Sequence, residues 1–220
     1  MNSSLAISIL LKDTDIDDLS LDENKWKMHS LYVGQAAGRI ARHLGMDNVD
    51  ADYASAIGYL HDIGRVVNPK NHVIDGYKYL DNLGYPKEAR YCITHSFVNN
   101  NINNTAGGGP KDQDSYNFID NYLNNTEINI YDNIIQLCDL FCSSNGYTTF
   151  EKRILDITKR KGVYPNSQEH FEEVMKLKNK IEDMMGIKIY DLFPQIKKED
   201  LDSQKDNYNE LMELFKTKKK

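Results

Sequence analysis

The organisation of this chain follows from one segment, Tyr59-Leu60-His61-Asp62-Ile63-Gly64-Arg65. The segment places a histidine directly beside an aspartate, at the end of an apolar run with helical spacing. An imidazole nitrogen and a carboxylate oxygen together suit divalent transition metals. Two adjacent ligands cannot complete a metal site, so the other ligands have to come from elsewhere in the chain.

Further candidate ligands occur in order on both sides of this pair. His29 lies upstream, four positions before Val33, and therefore on the inward stripe of a helix predicted over residues 26–44. Asp139 lies far downstream, inside the most apolar predicted helix, residues 130–143. Between them stand His72, which opens a predicted helix, and His95, which ends another.

Each candidate also has a simpler explanation when it is taken alone. An inward histidine is commonly a hydrogen-bonded core residue. A buried carboxylate such as Asp139 costs several kcal/mol unless it has a partner. That partner could be a metal ion, an arginine or a helix-capping backbone. The occurrence of all the candidates together favours the metal.

The order His29, then His61-Asp62, then Asp139 resembles the HD superfamily of metal-dependent phosphohydrolases, over roughly residues 26–143. This resemblance implies an all-α fold, an HD-domain helical bundle, here with additional C-terminal helices. His72 and His95 look like the extra histidines of HD families that hold two metals. Ser96 departs from that pattern, because several two-metal relatives carry a second histidine there.

The resemblance also implies how the ligands would be used. His29, His61, Asp62 and Asp139 would hold one ion, while His72 and His95 would hold a second, with Asp62 as the bridge. One or two divalent ions are expected, and the sequence does not distinguish Fe, Mn, Co, Ni or Mg. Asp62 and His61 are the expected catalytic residues, and metal-activated water would hydrolyse a phosphate ester or anhydride.

The expected substrate is a small phosphorylated, nucleotide-like molecule. The site layout is similar to small two-metal HD hydrolases, including bacterial diadenosine tetraphosphate hydrolases, although their further His-Thr element has no clean match here. Arg65, Lys27 and Lys70 are candidate phosphate contacts, and each could equally be ordinary surface charge. Two other classes stay open: an HD-type di-iron oxygenase and a non-catalytic metal- or nucleotide-binding HD protein.

The amino-acid composition restricts the expected binding partners and the expected cellular compartment. The 220 residues carry a formal net charge of −6, which argues against binding a nucleic-acid polymer or an anionic membrane. The apolar run from Leu5 to Leu11 is shorter than the roughly 20 residues that span a bilayer, and predicts a short helix packed on the core. The three cysteines (Cys92, Cys138 and Cys142) form no disulfide framework and fit a reduced, cytoplasmic setting. The oligomeric state is not predicted.

We expect one domain over residues 1–220, with a metal-binding HD core at 24–146 and a C-terminal helical extension at 147–220. The Asn- and Gly-rich segment 99–110 is predicted to be a mobile loop, either a lid over the site or a surface insertion. Within the extension, His170 is expected to be exposed, and the lysine-rich end at 216–220 to be solvated. Asp50 is a predicted helix cap, and Asn166 with Glu169 a predicted capping box.

Overall fold

The computed structural model describes residues 1–107, 109–110 and 112–217, except for the side chains of Ile16 and Ser20. Gly108 of the glycine-rich segment and residues 218–220, where we predict solvated charge, lie outside the described residues.

The all-α prediction is confirmed. The α-helices of the described chain are α1 Ser3–Leu10, α2 Lys25–His43, α3 Asn48–Leu60, α4 His72–Asn82, α5 Pro86–Thr94, α6 Gln113–Asn124, α7 Ile130–Asp139, α8 Phe150–Lys161, α9 Ser167–Met185, α10 Ile189–Leu192, α11 Lys198–Asp202 and α12 Gln204–Thr217. Short 3₁₀ turns occupy Ile16–Ser20, Asp22–Asn24, Ile63–Val66 and Val98–Asn100. One antiparallel pair of two-residue strands, β1 Cys142–Ser143 and β2 Gly146–Tyr147, follows α7.

Helices α2 and α3 approach each other closely through glycines. A Cβ atom at Gly58 would lie only 2.7 Å from the Cα atom of Gly34, so the two backbones touch where neither residue has a side chain. This contact lets the start of α2, with His29, lie beside the end of α3, with His61.

A second pair of glycines brings the turn after α3 against α4. A Cβ atom at Gly64 would lie 2.0 Å from the His72 carbonyl oxygen and 2.3 Å from the Gly76 nitrogen. Gly76, which has no side chain, admits two neighbours, because Gly64 and Cys92 both pack against it. The turn that carries Asp62 is thereby held against the first turn of α4.

A buried ion pair fastens α5 to α7. The Asp132 carboxylate, fully buried, accepts hydrogen bonds from the Arg90 guanidinium and from Thr94 Oγ1, the latter at 2.8 Å. It also accepts from the Asn129 backbone at 2.8 Å, which completes a capping box at the start of α7. Gln136 adds hydrogen bonds from its amide to the carbonyls of Thr94 and Phe97, at 2.9 and 3.0 Å.

The C-terminal helices share a hydrophobic cluster with the first helices. Val33, Ile40 and Ile57 from α2 and α3 pack together with residues of α7, α8, α9 and α12, namely Ile134, Leu137, Phe150, Ile154, Phe171, Val174, Leu211 and Phe215. The predicted short N-terminal helix is also confirmed: α1 buries Ala6 and Leu10 in a second cluster with α3 and α5. The division into a core at 24–146 and an extension at 147–220 stays a prediction.

Two predicted caps are wrong. Asp47, rather than Asp50, is the N-cap of α3, and its Oδ1 accepts from the Asp50 backbone nitrogen at 2.8 Å. Asn166 precedes α9 but makes no side-chain capping hydrogen bond. Instead, Ser167 Oγ accepts from the Tyr164 backbone nitrogen at 2.8 Å.

One predicted helix end also differs from the structure. Helix α7 ends at Asp139 instead of continuing to residue 143, because the chain turns there into β1. In the described part of the segment 99–110, Ile102 joins a hydrophobic cluster with α5 and α6, and Asn104 and Thr105 are buried. The mobility of this segment and its role as a lid or a surface insertion stay predictions.

Within the described residues, no helix combines the length and the apolar character needed to cross a lipid bilayer.

Candidate metal centre

The predicted metal ligands all lie at or near places where the helices end or begin. His29 lies in the second turn of α2. His61 caps the end of α3, and Asp62 follows it. His72 is the first residue of α4, His95 caps the end of α5, and Asp139 is the last residue of α7. Five helices, α2, α3, α4, α5 and α7, therefore supply side chains to one region of the molecule.

One half of the cluster is built around Asp139. Its Oδ1 lies 2.8 Å from His29 Nε2 and 3.7 Å from His61 Nε2. The rings of His29 and His61 are edge to face, with centroids 5.3 Å apart. Because α2 and α3 pack closely together, the two imidazoles lie next to the same carboxylate.

The other half is built around Asp62, whose two oxygens face different partners. Oδ1 lies 3.1 Å from His72 Nε2 and 3.7 Å from His95 Nε2. Oδ2 lies 3.9 Å from His61 Nε2 and 2.6 Å from Arg65 Nε. This carboxylate therefore stands between the two groups of histidines.

Backbone carbonyls fix the orientation of two of the histidine rings. His61 Nδ1 lies 2.7 Å from the Gly58 carbonyl oxygen, and His95 Nδ1 lies 3.0 Å from that of Tyr91. An Nδ1–H that donates to a carbonyl leaves the Nε2 lone pair available as a ligand. Ser96 Oγ lies 2.9 Å from His95 Nε2, so the serine at the position of the missing second histidine still contacts the site.

The Asp62 carboxylate is buried and the Asp139 carboxylate is half-buried, yet both are ionised. Burial favours the neutral acid, but the Arg65 guanidinium and the surrounding imidazoles hold the pKa of Asp62 well below its usual range. Burial acts in the same direction on Asp139, where the hydrogen bond with His29 and the nearby His61 ring outweigh it and again lower the pKa strongly. The centre therefore carries two negative charges in a desolvated place.

Most of the imidazoles are neutral. Burial lowers the pKa of His29 and of His72, and lowers that of His95 to about 3. At His61 burial also opposes protonation, but Asp62 and Asp139 outweigh it and raise the pKa. Ionised carboxylates and neutral imidazoles are the forms that coordinate metal ions.

The residues present fit a divalent metal ion. Two overlapping groups, His29 with His61 and Asp139, and His61 with Asp62 and His95, each offer ligand atoms that lie within 4.8 Å of one another. His61 Nε2, which belongs to both groups, is buried and makes no hydrogen bond within the described chain. His72 stands outside both groups and approaches the cluster through Asp62.

The three predicted phosphate contacts are placed differently. Arg65 lies in the centre, with Nε on Asp62 and a side chain that is 30 % exposed. Lys70 is exposed in the turn that precedes His72. The Lys27 ammonium is bonded to Thr14 Oγ1 and also lies over the Trp26 ring, so it is engaged away from the ligands.

The prediction that His170 is exposed is wrong. This α9 residue is 2 % exposed, and burial lowers its pKa to about 4. The Asn104 backbone lies beside the ring but outside hydrogen-bond geometry, so neither ring nitrogen has a partner among the residues described. A signal was present in the sequence, because His170 is four positions before Val174 on the apolar stripe of α9.

Two arginines whose charges act on residues of this region were also missed. Arg153 and Arg160 lie on α8, and the Arg153 charge acts on His29, while the Arg65 charge acts on Arg160. Their spacing relates them to the apolar residues of the helix, since Phe150, Arg153, Ile157 and Arg160 are separated by three, four and three positions. In the structure Arg153 is half-buried and Arg160 is exposed.

Comparison with known proteins shows the family. The HD domain family model matches residues 27–143, more than half of the 220-residue chain. No curated protein and no solved structure gives a significant match. The chain belongs to the HD domain family, and hence to a superfamily of metal-dependent phosphohydrolases whose domains bind divalent metal ions.

Proposed function

We propose that this protein hydrolyses a phosphate ester or phosphoanhydride bond of a small, nucleotide-like molecule, using one or two divalent metal ions. The observation that carries the proposal is the position of Asp62, with Oδ2 toward His61 and Oδ1 toward His72 and His95. A carboxylate that divides its oxygens in this way is suited to bridge two ions.

The proposed ligand sets follow the two halves of the cluster. His29, His61, Asp62 and Asp139 would hold one ion. His72 and His95 would hold a second, with Asp62 shared between the two. Imidazole and carboxylate donors suit Fe, Mn, Co or Ni, and carboxylates also suit Mg.

A bound divalent ion would lower the pKa of coordinated water and polarise a phosphoryl oxygen. Asp62 and His61 are the proposed catalytic residues, because both are buried and they are adjacent in the chain. His61 belongs to both groups of neighbouring ligand atoms, and Asp62 faces both halves of the cluster. The hydrogen bond between His61 Nδ1 and Gly58 keeps the ring in place, and the Arg65 guanidinium keeps Asp62 ionised. Hydrolysis then joins the water oxygen to phosphorus as the leaving oxygen departs with a proton.

Arg65 is the best supported phosphate contact. Its Nε donates a hydrogen bond to Asp62, and the other guanidinium N–H groups of this partly exposed side chain can still donate to a phosphate. A guanidinium can donate two parallel hydrogen bonds to a phosphate. Lys70 stays a candidate from the turn before α4, whereas Lys27 is left out because Thr14 engages its ammonium.

The test is phosphate release from a panel of nucleoside phosphates and dinucleoside polyphosphates, with the apo-protein reloaded separately with Mn, Fe, Co, Ni or Mg. We expect metal-dependent release that is lost in Asp62→Ala and kept in the surface variant His43→Ala. Product that requires both iron and oxygen would support an oxygenase instead. Stoichiometric metal binding with no turnover of any substrate would support a non-catalytic binding protein.

A further inference from the structure

One histidine of the metal centre has a hydrogen-bond partner that is not itself a candidate ligand. Ser96 Oγ lies 2.9 Å from His95 Nε2. By contrast, the Nε2 atoms of His29 and His72 face candidate carboxylate ligands, and His61 Nε2 makes no hydrogen bond within the described chain. The half-buried Ser96 side chain therefore contacts the ligand cluster without belonging to either proposed ligand set.

The direction of this hydrogen bond follows from the other side of the His95 ring. Nδ1 lies 3.0 Å from the Tyr91 carbonyl oxygen, which can only accept, so Nδ1 carries the hydrogen. In the neutral ring, Nε2 then has a lone pair and no hydrogen. The Ser96 hydroxyl is consequently the donor, and the Nε2 lone pair is the acceptor.

The turn that carries Ser96 is held in place from α7. Gln136, which is fully buried, donates from its amide to the carbonyl oxygens of Thr94 and Phe97, at 2.9 and 3.0 Å. The Phe97 backbone nitrogen also donates to the Thr94 carbonyl oxygen, at 3.3 Å, and the Phe97 ring is buried among residues of α4, α5 and α6. The residues on both sides of His95 and Ser96 are thus anchored, so the fold itself keeps the hydroxyl beside Nε2.

This contact bears on metal binding because Nε2 has a single lone pair. The lone pair can accept the hydroxyl hydrogen or coordinate an ion, but it cannot do both. His95 belongs to the second proposed ligand set, with His72 and Asp62. Asp62 Oδ1 lies 3.7 Å from His95 Nε2, which is too far for a hydrogen bond. The Ser96 hydroxyl is therefore the group that an ion at His95 has to displace.

We propose that Ser96 is a positioning residue that weakens binding of the second ion, by holding the His95 Nε2 lone pair while the position is empty. Metal uptake would then be ordered. The half around Asp139 would fill first, because the His61 lone pair there is free, and the ion at His95 would exchange more readily with metal in solution. This inference rests on the two ligand sets of the proposed function.

The test is titration calorimetry of the metal-free protein with manganese alone. Wild type is compared with Ser96→Ala, which removes the hydroxyl, and with Ser96→Thr, which keeps it. His72→Ala identifies the binding class that belongs to the second ligand set. The matched control is Ser8→Ala, because the exposed Ser8 hydroxyl donates to the Leu5 carbonyl oxygen within α1, at 2.7 Å.

We expect two classes of manganese site in the wild type, of which His72→Ala loses the weaker. In Ser96→Ala the weaker class should bind about fivefold more tightly, because the ion no longer displaces a hydrogen bond of ordinary strength. The tighter class should not change, and Ser96→Thr and Ser8→Ala should bind manganese as the wild type does.

Nitrogen-15 NMR of the metal-free protein gives a second readout that does not depend on any ion. The His95 Nε2 resonance should shift in Ser96→Ala, because the lone pair loses its donor, and should stay in place in Ser8→Ala. A serine that only stabilised the turn would leave this resonance unchanged.

The inference is overturned if the weaker class is unchanged or weakened in Ser96→Ala, if it is absent from both Ser96→Ala and the wild type, or if the His95 resonance does not move. These outcomes are separate from those that test hydrolysis. Manganese binding that depends on Ser96, without turnover of any substrate, would leave the inference standing and remove the phosphohydrolase. Hydrolysis with equal manganese affinities in Ser96→Ala and the wild type would do the opposite.

Discussion

His29 Nε2 and Asp139 Oδ1 lie 2.8 Å apart, although 110 positions separate the two residues in the chain. Both belong to helices that pack on α3, whose C-terminal end is capped by His61. The metal centre is therefore a product of helix packing, and its integrity can be tested through the residues that hold the helices together as well as through the ligands.

Removing different candidate ligands should lower the metal content by different amounts. Asp62→Ala should remove most of the bound metal, because the carboxylate serves both halves of the cluster. His72→Ala should remove about one ion and leave the half around Asp139 loaded. Elemental analysis of protein reloaded with manganese measures both effects.

The surface variant His43→Ala serves as the control for the histidine change, since His43 is exposed at the end of α2. Equal metal content in Asp62→Ala and wild type would contradict a bridging role for Asp62.

Gly64→Ala should destabilise the fold. The added methyl group would lie 2.0 Å from the His72 carbonyl oxygen, which is backbone and cannot rotate away. We expect a loss of about 1–3 kcal/mol in the free energy of unfolding, measured with urea. Gly107→Ala is the control, because its methyl group would meet nothing within 4 Å. If the two variants proved equally stable, Gly64 would not be a point of close packing.

Asp132→Ala should be strongly destabilising. The substitution leaves the Arg90 guanidinium and Thr94 Oγ1 without their shared acceptor and removes half of the capping box of α7. The cost of breaking a buried ion pair in this way is about 3–5 kcal/mol, which thermal or urea unfolding would report. Asp183→Ala, at an exposed position of α9, should cost far less. A similar small cost for both variants would show that the pair contributes nothing net.

His170 should make stability depend on pH. Its pKa is lowered by burial to about 4, from an ordinary value of 6.5, so the unfolded chain binds a proton more readily than the folded protein. The stabilisation is therefore complete above the unfolded pKa and is lost as the pH falls toward the folded value. Between about pH 7.5 and pH 5, the loss from this residue is about 2 kcal/mol.

The measurement is the free energy of urea unfolding at both pH values for the wild type and His170→Leu. The variant should lose that part of the pH dependence, while the other histidines contribute equally to both proteins and cancel. His43→Leu, at the surface, should retain the wild-type dependence. An unchanged dependence in His170→Leu would mean that the ring is not buried in neutral form.

Much of the helical architecture was predictable from local patterns. Helix α4 begins at His72 as predicted. Gly84 and Pro86 separate α4 from α5: Gly84 has a positive φ of 85°, which glycine adopts readily, and Pro86 suits the first turn of a helix. The end of α7 was not predictable, since the apolar run continues beyond Asp139 while the chain turns into β1. Hydrophobicity marks burial there, but it does not distinguish a helix from a buried turn.

The order of histidines and aspartates in the chain was enough to indicate the family and the all-α class, because ligand type and helical spacing are local properties. The tertiary structure alone decided which oxygen of Asp62 faces which histidine, and that the Arg153 Nε and the His170 ring are buried. The first relation depends on how the ends of α3, α4 and α5 meet, and the second on how α8 packs on α12 and α9 on α7. Such packing joins residues that are far apart in the sequence, and no local pattern encodes their distances.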